Sequence, residues 1–94
     1  MTLITTHVLD TARGRPAAGV PVALEGAGGA VTDADGRATL GEVEAGRHRL
    51  TFEVGELSPF YTEVSVVFVV PEGESHLHLP LLLSPWGYTT YRGS

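Results

Sequence analysis

There is no cysteine anywhere in the 94 residues. Disulfides, thiolate metal sites and cysteine nucleophiles are thereby excluded together. Positive charge is also scarce, with six Lys and Arg against eleven Asp and Glu. No basic block exists that could track phosphates, so a nucleic-acid partner is not expected. Long apolar runs are missing too. None approaches the length of a membrane span, and the opening "MTLITTHVLD" lacks the basic start, apolar stretch and small-residue cleavage site of a secretory leader. The expectation is a soluble, cytoplasmic protein with no membrane partner. Finally, twelve Gly and six Pro leave no uninterrupted window in which an amphipathic helix would be sound.

What remains between the glycines and prolines is strand. Alternation and β-branched or aromatic content place strands at Leu3 to Asp10, Val20 to Glu25, Ala30 to Thr32, Gly36 to Leu40, Arg47 to Val54, Tyr61 to Val70, Glu74 to Leu83 and Tyr88 to Arg92. Eight short strands with turn signals between them predict an all-β sandwich, one domain over residues 1–94. Two corners have a mechanism. "GAGG" supplies positive-φ residues, and Asp33-Ala34-Asp35-Gly36 combines Asx capping with a glycine. "ELSP", Glu56 to Pro59, is too short for more than one helical turn and is expected to be a loop.

The period of two assigns faces. In "HLHLPLLLS" Leu77, Leu79, Leu81 and Leu83 share the side that must meet the core, while His76, His78, Pro80, Leu82 and Ser84 share the other. In the first strand Ile4, Thr6 and Val8 oppose Leu3, Thr5, His7 and Leu9. Both outward faces mix polar and apolar residues, so that sheet is expected to be covered on both sides, the outer cover being another subunit. "RHRLTFEV" differs: Leu50, Phe52 and Val54 face in, and Arg47, Arg49, Thr51 and Glu53 face water.

Groups capable of chemistry are few. His7, His76 and His78 fall on outward faces, whereas His48 lies in the core-facing register with no partner in view. A histidine on a strand is more often a surface or interface residue than a catalyst. The pair His76 and His78 project the same way and could share a metal, but two ligands without a third are a poor site. Arg37, just past the Asp33–Gly36 corner, is either a solvated charge or a donor fork for an anionic or oxyanionic ligand. Ser94 carries no nucleophile-elbow motif around it.

Several segments taken together resemble one family. "THVLDTARGRPAAGVPVAL", "TDADGR", "HLHLPLLLSPWGYTTYRGS" and the terminal "YRGS" are similar to the 5-hydroxyisourate hydrolases, the enzymatic members of the transthyretin family. The resemblance covers most of the chain, densest at its two ends, and "YRGS" is its most specific part. It implies an eight-stranded transthyretin-like (prealbumin-like) β-sandwich of two four-stranded sheets. It further implies a homotetramer, a dimer of dimers with active sites in the channel between dimers. By the same resemblance the catalytic residues are His7, Arg37, His78 and Ser94. The period of two then puts Thr89 and Tyr91 along the channel beside them, so that the substrate is expected to be bound by His7, Arg37, His78, Thr89, Tyr91 and Ser94. The reaction implied is hydrolysis of 5-hydroxyisourate to 2-oxo-4-hydroxy-4-carboxy-5-ureidoimidazoline in urate (purine) catabolism, a cyclic amide C–N hydrolysis without cofactor or metal. Which histidine takes the proton is left open. Competing classes are a small-ligand carrier of transthyretin type and a non-catalytic sandwich module. "EGAGGAV" and "VGELSPFYTEV" are shorter than the family's usual segments, so the family's short helix is expected to be shortened or missing.

Overall fold

The computed structural model describes residues 1–94 and is built from strands and turns, with no helix. In chain order the strands are β1 (Thr2–Asp10), β2 (Arg15–Pro16), β3 (Pro21–Leu24), β4 (Gly28–Val31), β5 (Arg37–Val43), β6 (Gly46–Glu53), β7 (Glu63–Val70), β8 (His76–His78), β9 (Leu81–Leu83) and β10 (Tyr88–Thr90). They form two sheets. One has the order β4-β3-β6-β7, antiparallel throughout. The other is organised around β1. There β5 pairs with residues 2–7 and β2 with residues 9–10, while β8 and β9 pair in parallel on the opposite edge and β10 closes against β9. Because β2 prolongs the β5 edge and β8 and β9 are one interrupted strand, these six segments occupy four positions. The expected sandwich of two four-stranded sheets is what folds.

The interruption departs from the single strand expected over Glu74 to Leu83, and Pro80 is its cause. Leu79 still donates its N–H to the Thr5 carbonyl (2.9 Å), but the next residue has no N–H to offer. Pro80 is buried, not outward-facing as alternation placed it. Its carbonyl accepts the Thr90 hydroxyl at 2.7 Å, which ties β10 across the gap. The other strands match their expected positions to within a few residues. β5 runs three residues further, to Val43, and β2 was not anticipated, two residues being too short to carry a pattern.

Leucines 77, 79, 81 and 83 all face the core, each at most 5 % exposed, and meet Leu50, Phe52 and Val54 of the opposite sheet. Each such side chain contributes about 1.5–3 kcal/mol by leaving water. β1 buries its even positions, which places Thr2, Thr6 and Asp10 inside with Ile4 and Val8. All three are satisfied. Thr2 and Thr6 donate to the carbonyls of Glu74 (2.5 Å) and Leu79 (2.6 Å). Asp10 accepts from the Ala12 and Arg13 amides and from the Arg13 guanidinium at 2.8 Å. Burial alone would raise the Asp10 pKa, but these donors outweigh it and hold the carboxyl below the usual carboxylate range. His48 also has a partner: its ring sits half-exposed at the β5–β6 corner and donates to the Glu44 carbonyl (2.7 Å).

"ELSP" is a turn, with the amides of Leu57 and Ser58 both donating to the Val54 carbonyl. The β1–β5 ladder shifts register between Ile4 and Thr5, opposite Gly41. A bulge of this kind sharpens twist and re-aims the residues beyond it. The residues beyond it are Thr5, His7, Arg37 and Thr39.

Candidate active site

The Asp33–Gly36 turn makes one corner of the site. One carboxylate oxygen of Asp33 accepts the amides of Asp35 (2.9 Å) and Arg37 (3.0 Å). The chain therefore leaves the turn with Arg37 fixed at the start of β5. The Arg37 amide is the main reason the Asp33 carboxyl lies below its ordinary range, with the Asp35 amide and the charges of Arg37 and His7 adding to it. Gly36 is required twice over. Its φ is +76°, and a Cβ there would stand 2.5 Å from the Val8 carbonyl oxygen. The same turn also holds His7, whose Nε2 lies 2.8 Å from the Asp35 carbonyl. A carbonyl can only accept, so Nε2 carries the proton, and neutral His7 keeps its lone pair on Nδ1.

Register then brings the remaining groups together. Across β1 and β5, His7 lies opposite Arg37 and Thr5 opposite Thr39. Across β1 and β8, Leu3 lies opposite His76 and Thr5 opposite His78. The Thr5 hydroxyl contacts two imidazoles, His76 Nε2 at 2.7 Å and His78 Nδ1 at 2.8 Å. The terminal segment returns to the same place. Gly93 bridges to His78, donating its amide to the His78 carbonyl (2.8 Å), and an ion pair between Arg92 and Glu74 holds the approach. The fit at Gly93 is close: a Cβ there would come within 2.7 Å of His78 Cδ2.

These groups enclose a cleft of ≈ 490 Å³ lined by Thr5, His7, Arg37, Thr39, His76, His78, Tyr91, Gly93 and Ser94 together with Thr6 and Ala38. No acidic side chain lines it, although the chain carries a net charge of -5. His78 is half-buried, and its pKa is lowered first by that burial and then by the positive charge of Arg37 and the neighbouring histidines. Both influences favour its neutral form, and its Nε2 has no hydrogen-bond partner in the chain. Of the six residues singled out from sequence, five share this cleft. Thr89 does not: it is exposed on the same outward face, opposite Leu82 and further along the sheet. Thr5, Thr39 and Gly93 line the cleft but were not singled out. Thr5 stands two residues before His7, so its shared face was visible in the period of two. Its position against both His76 and His78 depends on a parallel pairing that the sequence does not display.

The HIUase/Transthyretin family model matches residues 4–93. The chain belongs to this family. Among its curated members, the 5-hydroxyisourate hydrolase of Caulobacter vibrioides is 43% identical over 115 aligned positions, which span 100% of both chains. Since this chain has 94 residues, the aligned relative carries segments that are missing here. Among solved structures, that of Klebsiella pneumoniae 5-hydroxyisourate hydrolase superposes with a TM-score of 0.88 at 42% identity, covering 100% of each chain. Sea bream transthyretin in complex with thyroxine superposes with a TM-score of 0.82 at 31% identity, over 96% of this chain and 93% of that one. This family member therefore keeps the family sandwich in a shortened form. No helix forms here, in line with the expectation of a shortened or missing one, and residues 54–58 make a turn.

Proposed function

We propose that this chain hydrolyses 5-hydroxyisourate, opening its six-membered ring at the amide-like C–N bond to give 2-oxo-4-hydroxy-4-carboxy-5-ureidoimidazoline in urate breakdown. The observation that carries the proposal is the meeting of His7, Arg37, His78 and Ser94, from four separate segments, in one polar cleft. The names and 42–43% identities of the hydrolase relatives supply the substrate. A carrier needs a pocket but no proton acceptor. This cleft pairs a neutral, partly buried histidine with a cation, which suits hydrolysis better than carriage.

Water attacks a ring carbonyl well only if its proton is removed as the bond forms and the developing oxyanion is met by positive charge. His78, kept neutral by burial and by Arg37, takes the proton on Nε2. His7 uses its Nδ1 lone pair to orient the water, its ring fixed by the Asp35 carbonyl. Arg37 anchors the substrate and stabilises the oxyanion. Ser94 hydrogen-bonds to the bound ring, and Tyr91 walls the cleft. No cofactor takes part.

The outward face of the β1 sheet continues from the cleft through Leu9, Leu82 and Thr89, paired side by side. A single-domain protomer assembled as a dimer of dimers would cover that apolar stretch and bring Thr89 into the channel. In this reading the working species is a homotetramer, placed in the cytoplasm.

The test is an ultraviolet time course of freshly generated 5-hydroxyisourate with untagged protein, set against the spontaneous reaction. Acceleration is expected. His78→Ala should lower kcat/KM by about 100-fold, within the usual range for loss of acid–base assistance, and His7→Ala, which loses the group that orients the water, and removal of Ser94 should each lower it with folding intact. A folded wild-type tetramer that leaves the spontaneous rate unchanged would return the chain to the carrier reading.

A further inference from the structure

Thr5 stands between two imidazoles, and its hydroxyl has one proton to give. It donates either to His78 Nδ1 or to His76 Nε2, and the imidazole that does not receive must itself donate to the Thr5 oxygen. The choice is linked to the chemistry in the cleft. If Thr5 donates to His78 Nδ1, the proton of neutral His78 sits on Nε2 and no lone pair faces the cleft. If His78 Nδ1 donates to Thr5, then Nε2 is the free base and the Thr5 hydroxyl donates on to His76 Nε2.

From these two short contacts, 2.8 Å and 2.7 Å, we propose that Thr5 and His76 form a proton relay behind His78. The proposal rests on the hydrolase reading. As the oxygen of water bonds to the substrate carbonyl carbon, its proton passes to His78 Nε2. The proton on His78 Nδ1 moves to the Thr5 oxygen, and the original Thr5 proton moves to His76 Nε2. His78 and Thr5 end neutral, and the positive charge rests on His76, which holds protons on both nitrogens. The reverse sequence returns a proton to the ring nitrogen that leaves.

Burial separates the two ends of the relay. His78 is half-buried and lies near Arg37, so retaining a positive charge there is unfavourable. His76 is exposed and its cation is hydrated. The relay moves charge from a place that disfavours it to one that tolerates it. The β1–β8 register sets the geometry: Thr5 lies opposite His78, and His76 projects from the same face two residues earlier. Thr5 and His76 are positioning residues that act through His78.

Thr5→Val removes the hydroxyl at nearly constant shape, Thr5→Ser retains it, and His76→Ala removes the terminal acceptor. Thr5→Val and His76→Ala should each lower kcat about tenfold with KM within about twofold, while Thr5→Ser stays within about threefold of wild type. Added imidazole should restore His76→Ala, whose lost group is exposed, but not Thr5→Val. The proton inventory in mixed light and heavy water should be curved for wild type and linear for Thr5→Val. Wild-type kcat and an unchanged inventory in folded Thr5→Val would overturn the relay. Nitrogen-15 NMR of the histidines tests it without turnover. The relay requires the neutral His78 proton on Nδ1, and finding it on Nε2 in an active enzyme sinks the relay while leaving the hydrolase reading intact. An inactive protein with the Nδ1 tautomer sinks the hydrolase reading and leaves the hydrogen-bond chain standing.

Discussion

Several influences act on His78 in the same direction, burial first, then the charge of Arg37 and after it those of His7 and His76. The sign of the consequence can be worked out. A histidine whose folded pKa lies below its unfolded value of about 6.5 binds fewer protons in the fold than in the open chain. Its contribution to stability is therefore complete above that unfolded value, and falls away as pH drops through the lower folded pKa. The same depression shapes activity. The acid limb of kcat/KM should have its midpoint below the ordinary histidine value, and the His78 ring protons should titrate over the same range by NMR. In Arg37→Gln the titration should move upward without reaching the free value, because burial persists. An upward move to the full free value would assign the whole effect to charge.

At the level of elements, the site is the product of one turn and one register. The Asp33–Gly36 turn was legible in the sequence, since Asp and Gly at those spacings have few other uses, and so were the inward leucines of β8 and β9. The Pro80 break and the Thr5–His78 alignment were not. The break follows from a single missing N–H whose neighbours continue the pattern, and the alignment joins residues more than seventy positions apart. His7, Arg37, His78 and Ser94 were legible as candidates through family resemblance, while the pairing that brings them into one cleft had to be seen in three dimensions. Gly36→Ala tests how far the turn governs both partners. With positive φ and a backbone oxygen 2.5 Å from the new Cβ, it should lower stability by about 1–3 kcal/mol, visible as a drop in Tm. It should also reduce activity beyond what the stability loss explains, since His7 and Arg37 both depend on that corner. A variant with wild-type Tm and activity would show that the corner relaxes freely.

Across the whole molecule, the outer face of the β4-β3-β6-β7 sheet mixes charged residues with exposed Val67 and Val69, while that of the β1 sheet carries half-exposed leucines next to the site. Arg47, Arg49 and Glu53 are exposed on β6, whereas Leu9 and Leu82 are half-exposed beside the cleft. Leu82→Glu places a charge in the middle of the apolar stretch at little expense to the protomer core, which lies on the other side of β9. Light scattering should find tetramers of the wild type and smaller species of the variant, with activity lost in proportion. A variant that remains tetrameric would move the interface elsewhere. β1 has a further consequence, in the order of synthesis. It is made first, yet one of its edges pairs in parallel with β8 and β9, residues 76–83. Until those residues emerge from the ribosome, the strand that carries His7 has a bare edge of unpaired amides and carbonyls, open to any other extended chain. A chain stalled before residue 76 should for that reason be recruited by chaperones or aggregate, and pairing between such distant segments should make folding slow for so small a protein.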